Sequence, residues 1–300
     1  MDSLENKSSK HMFTYIDKMG FNTESLLKSK LKDIKHVALD MDGTIYNGST
    51  LFSFTIPFLG KLKEMGIQYS FLTNNPSKSI EDYLKHLSNM GIAASAGEMY
   101  TSAKATISYI KSHYPEAKKI FILGTSSMIS EFESAGFMSA EDDAGDVPDL
   151  LVVGFDMSLN YSRLCRASWW ASKKNIPYIA TNPDRVCPTD KPLILVDCGS
   201  ITTCIEHASG RKPDVVIGKP DPRMLDGILE KYNLKPQEVA MIGDRIYTDV
   251  RMAYNANAIG VLVMSGETTM DIVQESDLKP DIIAENLSEF LEMLIKAKSV

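Results

Sequence analysis

The chain has 300 residues, 44% of them hydrophobic and 24% charged, which is the composition of a globular protein with room for one large α/β domain or two domains. Its formal net charge of −7 argues against a nucleic-acid polymer as partner, because binding to a phosphate backbone needs clustered Lys and Arg. No run reaches the roughly 18 apolar residues that span a bilayer, and the first residues lack the apolar block of a secretory signal. We therefore expect no membrane partner and a cytoplasmic location.

Short β-branched runs alternate along the chain with segments of helical period, which predicts an α/β fold with a largely parallel sheet. Residues 1–30 come before the first of these runs and are predicted to be an N-terminal extension. The predicted strands are, in chain order, 36–39, 68–72, 120–123, 150–153, 178–180, 215–217, 239–242 and 260–263. Near-continuous apolar runs such as LLVV at 150–153 are typical of parallel strands covered on both faces.

Three of the predicted helices carry clear start or stop signals. The helix within 77–91 can begin after Ser77 or Ser79 as N-cap and ends before Gly91. A second helix, within 126–136, ends before Gly136 in the same way. A third, within 221–233, has Pro222 in its first turn, where the missing N–H of proline costs nothing.

Polar residues directly follow four of the predicted strands. They are Asp40 with Asp42, Thr73 with Asn74, Lys219, and Asp244 with Asp249. Because parallel α/β sheets bind their ligands beyond the carboxyl ends of the strands, we expect these side chains to converge at one edge.

Carboxylates held close together repel each other unless a hard cation lies among them, and Mg²⁺ prefers such oxygen ligands. The predicted metal site contains Asp40 and Asp244 as side-chain ligands and Asp42 through its backbone carbonyl. Asp249 completes this site by orienting a metal-bound water or by fixing Lys219.

A carboxylate beside Mg²⁺ can attack phosphorus and form an aspartyl-phosphate, which divides a hard hydrolysis into two steps. Asp40 is the predicted nucleophile, and Asp42 is the predicted general acid and base for the leaving alkoxide and the attacking water. The predicted phosphate-binding groups are the side chains of Thr73 and Lys219 and the backbone N–H of Asn74.

These four groups match, in order, the four motifs of the haloacid dehalogenase superfamily. The segments DMDGTIY, FLTNNPSKS, TNPDRVCPT, GRKPDVVIGKPDP and MIGDRIYTDV resemble in particular its nitrophenylphosphatase and ribonucleotide-monophosphatase-like branch. The resemblance implies a Rossmann-like parallel-sheet core, 31–104 and 209–300, with a smaller inserted α/β cap domain, 105–208. It also implies Mg²⁺-dependent hydrolysis of small-molecule phosphate monoesters.

In proteins of this family the cap selects the leaving group of the substrate. The segment ATNPDRVCPTD, 180–190, is the candidate for a cap loop that reaches the site, with Asn182, Asp184 and Arg185 as candidate specificity residues. The resemblance leaves a homodimer through the cap open, and it leaves the physiological phosphate ester unnamed.

Two alternatives to a phosphatase remain at this point. A phosphomutase or phosphotransferase of the same superfamily shares the first half-reaction but passes the phosphoryl group to an acceptor other than water. The second is non-enzymatic: either a phosphate-ligand sensor, or a phospho-accepting signalling module, which also combines Asp, Thr and Lys around Mg²⁺. Asp42 argues against the signalling module, which has no use for an acid two residues beyond its phosphorylated aspartate.

Overall fold

The computed structural model describes residues 24–75, 79–187 and 192–299. Some of the predicted features lie outside the described residues. They are residues 1–23 of the predicted N-terminal extension, the alternative N-cap Ser77 and the end of the predicted cap loop, 188–190. The described chain forms two compact units. The first unit contains the residues up to Phe71 and those from Ile228 onward, and the second unit is Leu72–Gly227.

The described helices alternate with strands along the chain. The helices are α1 (Glu24–Leu31), α2 (Thr55–Glu64), α3 (Ile80–Asn89), α4 (Ser102–His113), α5 (Ser126–Ser134), α6 (Tyr161–Ala171), α7 (Cys198–Ser209), α8 (Arg223–Tyr232), α9 (Arg251–Ala256), α10 (Met270–Glu275) and α11 (Leu287–Lys298). The strands are β1 (His36–Asp40), β2 (Tyr46–Asn47), β3 (Thr50–Leu51), β4 (Gln68–Thr73), β5 (Met99–Thr101), β6 (Lys119–Leu123), β7 (Met138–Ser139), β8 (Leu150–Val153), β9 (Tyr178–Ala180), β10 (Val186–Cys187), β11 (Leu195–Val196), β12 (Val215–Val216), β13 (Val239–Gly243), β14 (Ile259–Val263) and β15 (Ile282–Ala284).

The first unit is built on a sheet with the strand order β15-β14-β13-β1, and the first residues of β4 lie beside β1. The pairs β1–β13, β13–β14 and β14–β15 are parallel, and Leu39 of β1 lies opposite Ile242 of β13. Every residue of β1, β13, β14 and β15 is buried. This pattern is that of a parallel sheet covered on both faces, and it aligns the carboxyl ends of β1 and β13.

Helix α11 packs against both α1 and α2 in the first unit. Phe58 of α2 and Phe290 of α11 are fully buried, and their ring centroids lie 6.3 Å apart. Leu27, within the predicted extension, and Leu31, at the end of α1, are also buried. The part of the predicted N-terminal extension that the structure describes is therefore helical and contributes to the core of this unit.

The second unit has its own parallel sheet, with the strand order β12-β9-β8-β6-β7. Helices α6 and α7 pack on this sheet around Trp170, Tyr178 and Ile201. The strands β10 and β11 form a small antiparallel pair in the same unit. Burial of apolar side chains between helices and sheet is the main source of stability in such layers.

All eight predicted strands occur, each within one residue of the expected ends. The prediction missed several strands of two or three residues, such as the pairs β2–β3 and β10–β11. Helix α3 begins after Ser79, which forms a capping box with Asp82, and Gly91 follows with a φ of +81°. Pro222 lies immediately before α8 rather than in its first turn, because the helix begins at Arg223.

The predicted α/β fold class with parallel sheets is confirmed. The predicted cap boundaries, 105 and 208, stay a prediction. Among the helices that the structure describes, none combines the length and the apolar character needed to cross a membrane.

Candidate active site

Three carboxylates meet in the first unit. Asp40 is the last residue of β1, Asp244 directly follows β13, and Asp249 lies in the π-helical turn Ile246–Val250. Because β1 and β13 pair in parallel, their carboxyl ends place Asp40 and Asp244 side by side. One carboxylate oxygen from each of the three residues lies within 4.8 Å of the other two.

The three carboxylates are also removed from water. The exposed fraction is 9% for Asp40, 2% for Asp244 and 0% for Asp249. Burial, and then the nearby charges of Asp40 and Asp249, raise the pKa of Asp244 to about 7. Three adjacent acids are therefore unfavourable in the ionised form unless positive charge compensates them.

The hydrogen bonds of the cluster leave room for a cation. Asp244 Oδ2 accepts a hydrogen bond from the backbone N–H of Glu267 at 2.7 Å, and Asp249 Oδ2 accepts one from the N–H of Arg245 at 3.1 Å. Asp244 Oδ1 is buried and has no hydrogen-bond partner among the described residues. A buried carboxylate oxygen of this kind fits a hard divalent cation, which takes oxygen ligands.

Two glycines allow the backbone to approach Asp244 closely. A Cβ atom at Gly43, where φ is +83°, would lie 2.5 Å from Asp244 Oδ2, and one at Gly266 would lie 2.1 Å from the same oxygen. Ser265 Oγ donates a hydrogen bond to the carbonyl of Gly43 at 2.7 Å and so joins the two backbone segments. Neither position accepts a larger side chain without moving the carboxylate.

The segment 265–267 was missed by the sequence analysis. It follows β14, which is a further parallel strand of the same sheet, and its residues read Ser-Gly-Glu. Glu267 reaches Asp244 through its backbone N–H and forms an ion pair with Arg245 at 2.8 Å through its side chain. The polar stretch after this strand was the signal that could have found it.

The side chain of Asp42 is not one of the carboxylates that come together. It is half-buried, and its Oδ1 accepts a hydrogen bond from the N–H of Gly48 at 3.4 Å. The predicted metal contact of Asp42 involved its backbone carbonyl, with the side chain directed away. That contact and the acid–base role of Asp42 stay predictions.

The remaining predicted residues belong to the second unit. Thr73, Asn74 and Lys219 are all largely buried, and Thr73 Oγ1 accepts a hydrogen bond from the N–H of Asn75 at 3.1 Å. The side chain of Asn74 is hydrogen-bonded to the backbone of Lys219. The structure therefore brings Asn74 and Lys219 together, and their phosphate-binding roles stay predictions.

The three candidate specificity residues differ in their surroundings. Asn182 is fully buried and donates a hydrogen bond to the carbonyl of Asn74, and Asp184 is half-buried and accepts one from the Asn74 side chain. Arg185 is exposed, with its carbonyl oxygen accepting hydrogen bonds from Asp197 and Ser200. Their predicted contact with the substrate stays a prediction.

Two protein-family models match this chain. The model described as haloacid dehalogenase-like hydrolase matches residues 37–138, and a second one, described as HAD-hydrolase-like, matches residues 216–290. The first range contains the strand ends with Asp40 and Thr73, and the second contains those with Lys219 and Asp244. The two matched ranges together therefore include all four predicted motifs.

Several phosphatases are similar to the chain over most of its length. The acid sugar phosphatase of Staphylococcus saprophyticus is 30% identical over 266 residues, which cover 89% of this chain and 100% of that protein. The structure of 4-nitrophenylphosphatase from Thermotoga maritima has a TM-score of 0.82 and 37% identity, and the match covers 89% of this chain and 98% of that one. The p-nitrophenyl phosphatase from Archaeoglobus fulgidus has a TM-score of 0.80 and 31% identity, covering 87% of this chain and 99% of that one.

Proposed function

Because the chain belongs to the family of haloacid dehalogenase-like hydrolases, we propose that it hydrolyses small-molecule phosphate monoesters with Mg²⁺, through an aspartyl-phosphate on Asp40. The coarser statement, that the chain is a phosphoric monoester hydrolase, is supported directly by its similarity to phosphatases along nearly all of its length. The proposal adds two features to this statement, which are the dependence on Mg²⁺ and the covalent step on Asp40.

One observation carries the proposal: the cluster of Asp40, Asp244 and Asp249, in which the buried Oδ1 of Asp244 has no hydrogen-bond partner within the described ranges of the chain. Carboxylate ligands suit Mg²⁺, which binds one or two of them and keeps its other positions for phosphate and water. When bound, the cation would compensate the charge of the cluster and of the substrate phosphate.

The reaction divides between two acidic residues. A carboxylate oxygen of Asp40 forms a bond to phosphorus as the ester bond to the leaving alkoxide breaks, and Asp42 gives that alkoxide its proton. Asp42 then takes a proton from the water that attacks phosphorus, and the bond between phosphorus and Asp40 breaks. Inorganic phosphate and the free alcohol are the products, and Asp40 is regenerated.

Phosphate binding is assigned to three groups of the second unit. Thr73, through its hydroxyl, and Lys219, through its ammonium group, neutralise or hydrogen-bond the phosphate oxygens, together with the backbone N–H of Asn74. Their support is their position in the family motifs and the burial of all three residues. Fixed donors of this kind act on the charge that spreads over the equatorial oxygens during phosphoryl transfer.

Sugar phosphates are the substrate class that we propose to test first. The relative from Staphylococcus saprophyticus is named an acid sugar phosphatase, and the proteins from Thermotoga maritima and Archaeoglobus fulgidus are named for nitrophenyl phosphate, which is a convenient reporter substrate. A homodimer through the cap and a cytoplasmic location stay predictions.

The experiment measures release of inorganic phosphate from nitrophenyl phosphate and from a panel of sugar phosphates, with Mg²⁺ and then with excess EDTA. We expect hydrolysis without any acceptor, and a loss of turnover of more than about 100-fold on chelation. The Asp244→Asn variant, which keeps the shape of the side chain, should need more Mg²⁺ for half-maximal rate. Full activity in EDTA would contradict the metal role, and transfer only to an added sugar would favour the phosphomutase or phosphotransferase alternative.

A further inference from the structure

The side-chain amide of Asn74 forms hydrogen bonds with both the N–H and the carbonyl of the Lys219 backbone. Asn74 Oδ1 accepts a hydrogen bond from the N–H of Lys219 at 2.6 Å, and Asn74 Nδ2 donates one to the carbonyl of the same residue at 2.9 Å. Because the Lys219 N–H can only donate and its carbonyl can only accept, the orientation of the amide is fixed by these two bonds. Among side chains of this size, only a carboxamide offers both partners at once.

The second amide hydrogen of Asn74 is used as well. Nδ2 donates to Asp184 Oδ2 at 3.1 Å, a hydrogen bond strengthened by the charge of the carboxylate. Both side-chain donors of Asn74 are therefore engaged within the protein. Its side chain has no hydrogen left to donate to a phosphate oxygen, so its influence on phosphate must pass through Lys219.

The backbone carbonyl of Asn74 is also fixed by hydrogen bonds. Its carbonyl accepts hydrogen bonds from Ser102 Oγ at 2.8 Å and from Asn182 Nδ2 at 3.0 Å. Asn182 Oδ1 in turn accepts the N–H of Asp184 at 2.9 Å, which places Asp184 next to the Asn74 amide. Since Asn74 and Asn182 are buried, each of these bonds replaces one that water would otherwise make.

The residue before Lys219 is packed against the same group. A Cβ atom at Gly218, where φ is +83°, would lie 3.0 Å from Asn74 Oδ1 and 2.8 Å from the carbonyl of Thr181. Gly218 therefore packs directly against the side chain of Asn74 and the backbone of Thr181. This packing leaves the backbone of Lys219 little freedom to shift.

We propose that Asn74 is a positioning residue for Lys219, held in place by Asn182 and Asp184, and that these two residues serve the phosphate site rather than leaving-group selection. The proposal rests on the proposed function in one respect, which is that Lys219 binds phosphate. A misplacement of Lys219 by about 1 Å would reduce its contribution by roughly 100-fold.

A double-mutant cycle tests this dependence of Asn74 on Lys219. The proteins are the wild type, Asn74→Ala, Lys219→Ala and the double variant, and the readouts are kcat and KM for nitrophenyl phosphate and the Kd of inorganic phosphate by calorimetry. We expect Asn74→Ala to weaken phosphate binding by about 10- to 100-fold, and to have almost no further effect when Lys219 is already Ala. Additive losses would overturn the proposal, because Asn74 would then act independently of Lys219.

Two further variants separate positioning from folding. Asn160→Ala removes the N-cap of α6 in the same unit, where Asn160 Oδ1 accepts the N–H of Arg163 at 3.0 Å, and should lower thermal stability while leaving phosphate affinity unchanged. Asn74→Asp keeps the acceptor for the Lys219 N–H but sets a carboxylate oxygen against the Lys219 carbonyl and Asp184. It should reproduce the loss of phosphate affinity even where Asn74→Ala does not fold.

The outcomes distinguish a failure of the positioning role from a failure of the proposed function. An unchanged phosphate Kd in Asn74→Asp would refute the positioning role while leaving the proposed function intact. An unchanged phosphate Kd in Lys219→Ala would instead remove the assigned role of Lys219, and with it the reason for positioning it.

Discussion

The surroundings of Asp244 are unfavourable for folding but suit a metal-binding function. It is 2% exposed, its pKa is raised to about 7 by burial and then by Asp40 and Asp249, and one of its oxygens is unpartnered within the described part of the chain. Burying such a group without compensation lowers the free energy of unfolding. This unfavourable arrangement is understandable if a bound cation completes the site.

His36 shows the opposite case, a titratable residue that serves packing. It is fully buried at the start of β1, its Nε2 lies 3.0 Å from Ser70 Oγ, and its ring centroid is 4.7 Å from that of Tyr232. Burial, and then the positive charge of Lys231, lower its pKa from 6.5 to about 4. The folded protein therefore holds this imidazole neutral where the unfolded chain would protonate it.

This shift predicts a pH dependence of stability. The contribution of neutral His36 is complete above about pH 6.5 and is lost as the pH falls towards 4, by up to about 3 kcal/mol. The His36→Gln variant stays neutral and can still hydrogen-bond Ser70, so its unfolding free energy should fall less between pH 7 and pH 4.5. Urea unfolding at both pH values measures the difference, and equal falls in the two proteins would contradict the assignment.

At the scale of elements, the site depends on two backbone segments that close around Asp244. The turn after β1 and the segment after β14 each place a glycine against its carboxylate, and Ser265 joins them. Such close approach of backbone to a side chain is possible only without a Cβ atom. The geometry of the carboxylate cluster is thus set by loops as well as by strand ends.

A matched pair of substitutions tests this role of the glycines. In Gly266→Ala the new Cβ would lie 2.1 Å from Asp244 Oδ2, so the carboxylate must move, and we expect the Mg²⁺ concentration for half-maximal activity to rise by about 10-fold or more. In Gly60→Ala, within α2, no atom lies within 4 Å of the new methyl group. That variant should gain about 0.5–1 kcal/mol of stability with unchanged Mg²⁺ dependence. Equal Mg²⁺ requirements in both variants would contradict the account.

Most of the elements that the sequence predicted have a local signal several residues long. The apolar runs of β1, β6, β8 and β13 and the Ser79 capping box of α3 are each readable within a few neighbouring residues. Pairs of two residues, such as β10–β11, carry no such period, because strand alternation needs about four residues to be recognised. Their pairing is decided by tertiary contacts instead.

At the scale of the whole molecule, the alternation of apolar runs with helical segments allowed the parallel sheet to be predicted, and the polar residues after the strands allowed the acidic residues at its edge to be predicted. Asp40, Asp244 and Asp249 were named from strand ends alone, and the structure brings them together. The engagement of the Asn74 amide with Lys219 could not be predicted, because the two residues are 145 positions apart. Nothing in either local sequence indicates which partner the amide takes.

The same limit applies to the residues that support the acids. Glu267 reaches Asp244 through its backbone N–H, 23 positions away, and any residue other than proline could supply that donor. Side-chain identity is therefore uninformative there, while the glycine beside it is informative only once the distance to Asp244 is known. The candidate catalytic side chains could be predicted from the sequence. The backbone contacts that hold them in place could not.

The most direct test of the central claim is the turnover of Asp40→Asn, measured at saturating Mg²⁺ against the wild type prepared in the same way. The amide keeps the shape of the side chain but cannot attack phosphorus, so we predict that kcat for nitrophenyl phosphate falls by more than about 10⁴-fold. A turnover within tenfold of the wild type would contradict the covalent role of Asp40.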